Sequence, residues 1–461
     1  MVRLFGTDGV RGLANRDITA DLALKLGEAA GRVLSLDSKY SRKRAIVGRD
    51  TRISGEFLSA AVCAGLAAAG VDVKDVGVLP TPGIAYLTKR LGVNLGVVIS
   101  ASHNAMPDNG IKFFAEDGFK LEDSVEDQIE QHLNEQWDYP LGDQVGRIRD
   151  DGAQASAIFT SYLARSIGAS EDNKPLKGLK IALDASNGAA SKVAPEALRF
   201  CGAEVVVINA SPDGYNINEE SGSTHPDQLQ ATVKAAGADF GVAFDGDADR
   251  CIGVDETGEL IDGDKIITML ALDLKERGEL VDDTVVLTVM TNLGTLNALE
   301  KHGIKTEITG VGDRYVLEQM RAKNLTLGGE QSGHIINLDY STTGDGVLSA
   351  LLLANYFVQK RKENPDVKMS ELTSIVQTLP QVLVNVPNVD KSRVGDEEIA
   401  KAVDFHQQKL NDAKAGTSGR VLLRASGTEP LVRVMVEAST DIEARSTAEE
   451  LARIVKERIS L

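Results

Sequence analysis

The chain has 461 residues, 42% of them hydrophobic and 26% charged, which is globular composition with core material for three or four domains of ordinary size. Its formal net charge of -18, from 68 acidic and 50 basic residues, argues against a general binder of nucleic acid or of anionic membranes, because both need a basic face. Aromatics are only 4% while glycines number 44, so the core is aliphatic and the loops are glycine-rich. Cys63, Cys201 and Cys251 are far apart in apolar contexts and read as small core residues of a reducing compartment, without metal-type spacing. The first residues carry no apolar signal core, and the longest apolar stretch, 60–71, is too short to span a bilayer. A cytoplasmic protein is expected.

Taken in order, the spacing of Leu22, Leu26, Ala29 and Val33 predicts a helix over 18–36. A strand over 43–50, a helix over 55–69 stopped by Gly70, a strand over 71–79, a short helix over 83–91 and a strand over 95–100 follow. This β-α-β alternation predicts a mainly parallel sheet. An acidic amphipathic helix over 122–136 precedes a Gly/Asp/Pro-rich stretch, 137–153, that looks like a domain boundary. The pattern then restarts: strand 179–185, helix 188–200, strand 203–209, helix 228–236, strand 240–244. A third round has helix 264–277, strand 284–289, helix 293–302, strand 305–310, helix 313–323, strand 325–328 and helix 344–360. The tail differs, with strands over 381–386, 420–425 and 431–437 and helices over 397–410 and 442–459. The expected architecture is three similar mixed or parallel-sheet α/β domains, 1–153, 154–253 and 254–369, plus a smaller C-terminal α+β domain, 370–461, around a central cleft.

In each α/β unit a late strand runs into a polar, glycine-bearing loop. The first holds Ser102, just past the buried run Val97-Val-Ile99, with His103, Asn104 and Lys112 nearby. Open α/β sheets place ligand sites at such carboxyl ends. The bland alternative is an ordinary turn, since Ser, Asn, Asp and Gly are what turns are made of.

The second loop, Asp245-Gly-Asp247-Ala-Asp249-Arg250, sets three carboxylates at alternate positions, and oxygen-only ligands suit Mg2+ or Ca2+. An EF-hand is the competitor, because Glu256 stands at loop position twelve, but Arg250 replaces the glycine of position six and both flanks read as strands. Arg250 beside a cation makes best sense if a phosphate docks there too. The third loop, Gly329-Glu330-Gln331-Ser332-Gly333-His334, offers mixed polar groups suited to sugar hydroxyls. Arg424, Ser426, Gly427, Thr428 and Arg433 form the inventory of a phosphate clamp, against the alternative of a hairpin turn with unrelated strand arginines. Arg11, Arg49 and Arg52 would add positive potential if they faced the same cleft, although solvated surface arginines are commoner.

Together with Phe5-Gly-Thr-Asp-Gly-Val-Arg-Gly12, these motifs in this order resemble the α-D-phosphohexomutase superfamily over the whole chain. Within it, Gln331 and Thr309-Gly-Val-Gly-Asp-Arg-Tyr-Val316 resemble the branch acting on glucosamine phosphates. Ala105 departs from the proline usual after the Ser-His-Asn triplet, with no chemical group lost.

The resemblance implies an intramolecular phosphotransferase interconverting glucosamine 6-phosphate and glucosamine 1-phosphate, feeding UDP-N-acetylglucosamine and cell-wall precursor synthesis. Ser102 matches the phosphoserine; Asp245, Asp247 and Asp249, with Ser102, match the ligands of one Mg2+ per chain. His103 and Arg250 match contacts to the phosphoserine, Glu330, Gln331 and Ser332 the sugar readers, and Arg424, Ser426, Gly427, Thr428 and Arg433 the clamp for the non-reacting phosphate. Arg11, Lys112 and His334 match positions for acid-base or charge-stabilising work. Glucosamine 1,6-bisphosphate is the implied intermediate and activator. The implied partner is a small-molecule sugar phosphate, with neither nucleic acid nor membrane, and a homodimer is among the open assemblies. Phosphomannomutase/phosphoglucomutase specificity, a Mg2+-dependent sugar phosphatase and a non-enzymatic binding module are the alternatives.

Overall fold

The computed structural model describes residues 3–6, 8–33, 42–411, 418–426 and 431–461. The chain divides into two compact units: unit 1 is Met1–Val289 with Ile304–Ser374, and unit 2 is Met290–Gly303 with Ile375–Leu461.

Unit 1 carries three mixed sheets. The first contains β1 (Val10–Leu13), β2 (Lys43–Arg49), β3 (Val71–Val78), β4 (Leu95–Ile99), β5 (Asp108–Ala115) and β6 (Ile148–Asp150), in the order β1-β5-β4-β2-β3-β6. The second contains β7 (Lys180–Asp184), β8 (Glu204–Ile208), β9 (Phe240–Phe244), β10 (Cys251–Asp255) and β11 (Leu260–Ile261), in the order β11-β10-β9-β7-β8. The third contains β12 (Thr284–Thr288), β13 (Lys305–Thr309), β14 (Leu327–Gly329) and β15 (Ile335–Asn337), in the order β13-β12-β14-β15.

β2 pairs in parallel with β3 and β4, β7 with β8 and β9, and β12 with β13 and β14, as the alternation predicts. One feature departs from a mainly parallel sheet. In every sheet the strand that ends at a polar loop is followed by an antiparallel return: β4 by β5, β9 by β10 and β14 by β15. Two of these returns are hard to read in advance. β5 opens on Asp108-Asn-Gly, which are turn residues, and β15 has only three residues. A hairpin return needs only a few residues, whereas a parallel connection needs a dozen or more. The three motif loops are therefore short spans pinned at both ends.

Burial explains why β4 and β9 read as unbroken apolar runs, for every residue of both is buried. The helix predicted over 55–69 runs Ile53–Ala68 and packs closely on Ala20–Val33. The crossing depends on small residues: a Cβ on Gly65 would lie 2.1 Å from the Leu24 carbonyl oxygen, and one on Gly27 2.6 Å from that of Val62. The stretch 137–153 contains β6 and the first turn of a helix, Gly152–Ser166, that sequence reading overlooks.

Unit 2 is α+β. Its antiparallel sheet, β16 (Gln381–Pro387), β17 (Arg420–Ala425) and β18 (Leu431–Glu437), has the order β16-β18-β17. Val382, Val432, Val434 and Val436 pack with Leu451 and Val455 of helix Asp441–Ile459. No described helix is long and apolar enough to cross a membrane.

Candidate active site

The loop after β4 carries Ser102, only 2% exposed, in a left-handed backbone conformation with φ 53°. Its hydroxyl donates to Asp245 Oδ2 at 2.5 Å, across 143 residues of sequence, and lies 3.3 Å from His103 Nδ1. Two loops that follow equivalent strands of adjacent sheets thus meet at one hydroxyl.

The Asp loop is a compact acidic cluster. Asp245, Asp247 and Asp249 are all buried, and one oxygen from each lies within 4.8 Å of the others. Asp247 Oδ2 accepts from Thr81 Oγ1 at 2.7 Å and from Lys112 Nζ at 3.1 Å, while its Oδ1 and that of Asp249 have no hydrogen-bond partner. Buried carboxylate oxygens without partners are costly. Three convergent, oxygen-only, partly orphaned donors fit a hard divalent cation. An EF-hand does not fit. The loop joins two antiparallel strands, and Glu256 is taken by the Ser370 amide at 3.1 Å and by its hydroxyl.

Electrostatics separate the three acids. Burial, then the charges of Asp249 and Asp247, push the Asp245 carboxyl well above the usual range. Burial acts the same way on Asp247, but Lys112 and the Thr81 hydroxyl outweigh it and hold that group below its ordinary value. Lys112, buried at 2% exposure, is lowered by burial yet raised overall by Asp247 and Asp8. Burial, together with the charges of Arg250 and Arg11, pushes the His103 imidazole down to about 4.

Lys112 opens onto a second network. Asp8 forms an ion pair with Lys112 at 2.9 Å and accepts from Lys120 at 2.6 Å and from Arg11. Lys120 also reaches Asp313 at 2.5 Å, and His334 Nε2 stands 3.8 Å from Asp313 and 3.9 Å from Asp249. Burial opposes ionisation of Asp313, yet Lys120 and His334 hold it down at about 2. A cavity of about 340 Å³ is lined by Asp8, Lys112, Lys120, Asp313, His334 and Arg314 among others.

The third loop joins the same neighbourhood through backbone contacts: Arg250 and His334 form a β-bridge, and the Cys251 amide donates to the Gly333 carbonyl at 3.0 Å. Glu330 accepts from the Gly312 amide at 3.0 Å, Gln331 donates to Asp262 at 3.3 Å, and Ser332 is exposed. Arg250 lies with its Nε 4.0 Å from Asp249, and Asp245 and Asp249 raise its pKa against the opposing effect of burial.

On unit 2, Arg424 and Arg433 stand directly opposite each other across β17 and β18. Ser426 is buried, and its carbonyl accepts from Lys391 at 2.8 Å, a third cation nearby. Gly427 and Thr428 lie outside the described residues.

Several residues escape sequence reasoning. Asp8 and Asp313 stand inside quoted motifs without a distinct role, and Lys120 has no local signal; only their convergence marks them. Arg52 is not a surface arginine: it is fully buried, with Nε on Asp50 and both Nη atoms turned to the backbone of the Ser102 loop, whereas Arg49 ends β2 half-buried.

The phosphoglucomutase/phosphomannomutase family matches this chain in four pieces: α/β/α domain I at residues 2–139, domain II at 158–258, domain III at 262–378 and the C-terminal domain at 383–454. A phosphoglucosamine mutase of Bifidobacterium adolescentis is 56% identical, the match covering 100% of both chains. Among solved structures, a phosphoglucomutase/phosphomannomutase family protein from Burkholderia thailandensis superposes with a TM-score of 0.78 at 23% identity, over 100% of this chain and 99% of that one. The N-acetylphosphoglucosamine mutase of Aspergillus fumigatus, solved with GlcNAc-6P and magnesium, gives 0.66 at 19% identity, over 99% of this chain and 96% of that one.

Proposed function

This chain belongs to the phosphoglucomutase/phosphomannomutase family, and we propose that it interconverts glucosamine 6-phosphate and glucosamine 1-phosphate, the activity for which its 56%-identical relative is named. One observation carries the reaction type: a buried serine hydroxyl 2.5 Å from a carboxylate of a convergent, partly orphaned aspartate cluster. A serine so placed is suited to carry a phosphoryl group beside a cation.

In this reading phosphorylated Ser102 is the donor. Its phosphorus–oxygen bond breaks as a new one forms to the free sugar hydroxyl, giving glucosamine 1,6-bisphosphate; the hydroxyl's proton passes to a base of the site, and the departing Ser102 oxygen takes up a proton from an acid of the site. The bisphosphate turns over, its other phosphoryl group returns to Ser102, and glucosamine 1-phosphate leaves. Asp245, Asp247 and Asp249 would hold Mg2+, which when bound neutralises phosphoryl oxygens.

The remaining work is positioning and charge. Arg250 and His103 flank the phosphoserine, and Arg11, Lys112 and His334 supply acid-base and charge-stabilising groups. Glu330, Gln331 and Ser332 read the sugar. Arg424, Ser426, Gly427, Thr428 and Arg433 take the non-reacting phosphate, and recognition of phosphate alone serves both substrate orientations. A cytoplasmic setting agrees with the cysteines, all three of them free and buried.

A coupled assay comparing glucosamine 6-phosphate with glucose and mannose phosphates tests the substrate. The amino sugar is expected to lead by about tenfold or more in kcat/KM. Equal or better use of a hexose phosphate would overturn the amino-sugar assignment.

A further inference from the structure

Ser102 keeps a backbone conformation that side chains other than glycine rarely adopt, with φ 53°. Such a residue persists only where its surroundings over-determine it. Here they do so from three sides. The Ser102 amide donates to Ser100 Oγ at 2.9 Å, and that hydroxyl donates to Asp50 Oδ2 at 2.7 Å. Asp50 Oδ2 also accepts from Arg52 Nε at 2.9 Å. The guanidinium then reaches back to the loop, donating to the carbonyls of Ser102 at 3.0 Å, Asn104 at 2.8 Å and Ala105 at 2.6 Å. Both backbone polar groups of Ser102 are thereby tied into one ring closed by Arg52.

The second side comes from the neighbouring sheet's loops. Asn218 Nδ2 donates to the carbonyls of Ser102 and Asn104 at 2.9 and 3.0 Å, so two of the three gripped carbonyls are held twice. Gly246, inside the Asp loop, closes the third side: a Cβ there would lie 2.6 Å from the Ser102 carbonyl oxygen and 2.9 Å from Asn218 Nδ2.

We propose that Arg52, together with Asn218, is the positioning residue for the reacting serine: the two side chains grip the loop carbonyls and so hold Ser102 in the left-handed turn that aims its hydroxyl at Asp245. Arg52 touches no reacting atom. A lysine cannot replace it, because one ammonium cannot present the planar fork that serves a carboxylate and three carbonyls at once. The inference rests on the proposed phosphoryl role of Ser102.

The test measures kcat and KM for glucosamine 6-phosphate, with amide hydrogen exchange over residues 101–106, in Arg52→Lys and Asn218→Gly. The second variant removes the amide side chain while glycine accepts the φ of 58° found at residue 218. Each is expected to lower kcat by about tenfold or more, to leave KM within about threefold, and to speed exchange of the loop. An unchanged kcat, or a loop that exchanges no faster, overturns the clamp. If Arg52→Lys does not fold, Asn218→Gly decides alone. Ser102→Ala, run beside them, separates the two readings: turnover retained there removes the phosphoserine role, while loop exchange still judges the clamp.

Discussion

The Ser102 loop and the Asp245–Arg250 loop are built alike and finished differently. Each leaves the carboxyl end of a fully buried strand, β4 or β9, and returns as an antiparallel neighbour, β5 or β10. In the serine loop the backbone is satisfied to excess, with the Ser102 and Asn104 carbonyls each taking two side-chain donors. In the aspartate loop, one buried carboxylate oxygen each of Asp247 and Asp249, the Oδ1, has none. The contrast separates two tasks. On the proposed reading, a group to be held still is surrounded by donors, and a group to bind a cation keeps lone pairs in reserve.

The largest effect that would break the contrast is at Ser102. Ser102→Ala should abolish turnover while leaving the fold intact, as judged by kcat and circular dichroism; near-normal activity would leave the caged loop with nothing to position. Next comes the aspartate loop. Asp247→Asn is expected to cost about a hundredfold or more in kcat and to weaken Mg2+ binding measured by calorimetry, since an amide contributes no charge to the site. Undiminished Mg2+ binding would mean that the orphaned oxygens reflect burial alone.

Contact between the loops gives a third, intermediate test. Gly246→Ala should lower kcat by roughly tenfold, because the added methyl must displace the Ser102 carbonyl or the Asn218 amide. Unaltered kinetics would show that the loops do not need their close approach.

The smallest effect sharpens the contrast through a control. Asp345 is a buried carboxylate whose Oδ1 caps a helix by accepting from Leu348 and whose Oδ2 has no hydrogen-bond partner, but among the described residues it belongs to no convergent cluster of three or more metal-type ligands. Burial pushes its pKa up to about 7, against the helix amides that favour the charged form. A carboxyl raised in this way binds its proton more tightly folded than unfolded. Its stabilising contribution is complete below the unfolded value of about 4 and is lost as the pH rises through about 7. The melting temperature of Asp345→Asn relative to the parent should therefore be more favourable at about pH 8 than at about pH 5. A difference independent of pH would count against a raised pKa.

Much of this site is legible in the sequence because its chemistry lies in contiguous stretches. Ser102-His103, the alternate aspartates and Glu330 to His334 each occupy one short loop, and each loop follows a strand or helps to build one. The apolar runs of β4 and β9 mark those strands because burial on both faces removes any alternation. The antiparallel returns are harder. β5 starts on turn residues, and its pairing with β4 follows from tertiary contacts and not from local propensity. Arg52 is illegible for another reason. A buried arginine that serves backbone carbonyls about fifty residues away looks, in one dimension, like any surface arginine. Lys120, bridging Asp8 and Asp313 from a third segment, is hidden in the same way.

The repeated hairpin return also sets how this protein can vary. Because the loop after β4, β9 or β14 is fixed at both ends by ladder pairing, adding or deleting a single residue would either force a bulge or shift the return strand by one position and turn its side chains to the opposite face. In β5 such a slip would carry Lys112 out of the position from which it reaches Asp247 and Asp8. Relatives that keep the chemistry are therefore expected to change these three loops by substitution at constant length. Insertions and deletions belong in the helix-to-strand connections on the far side of each sheet.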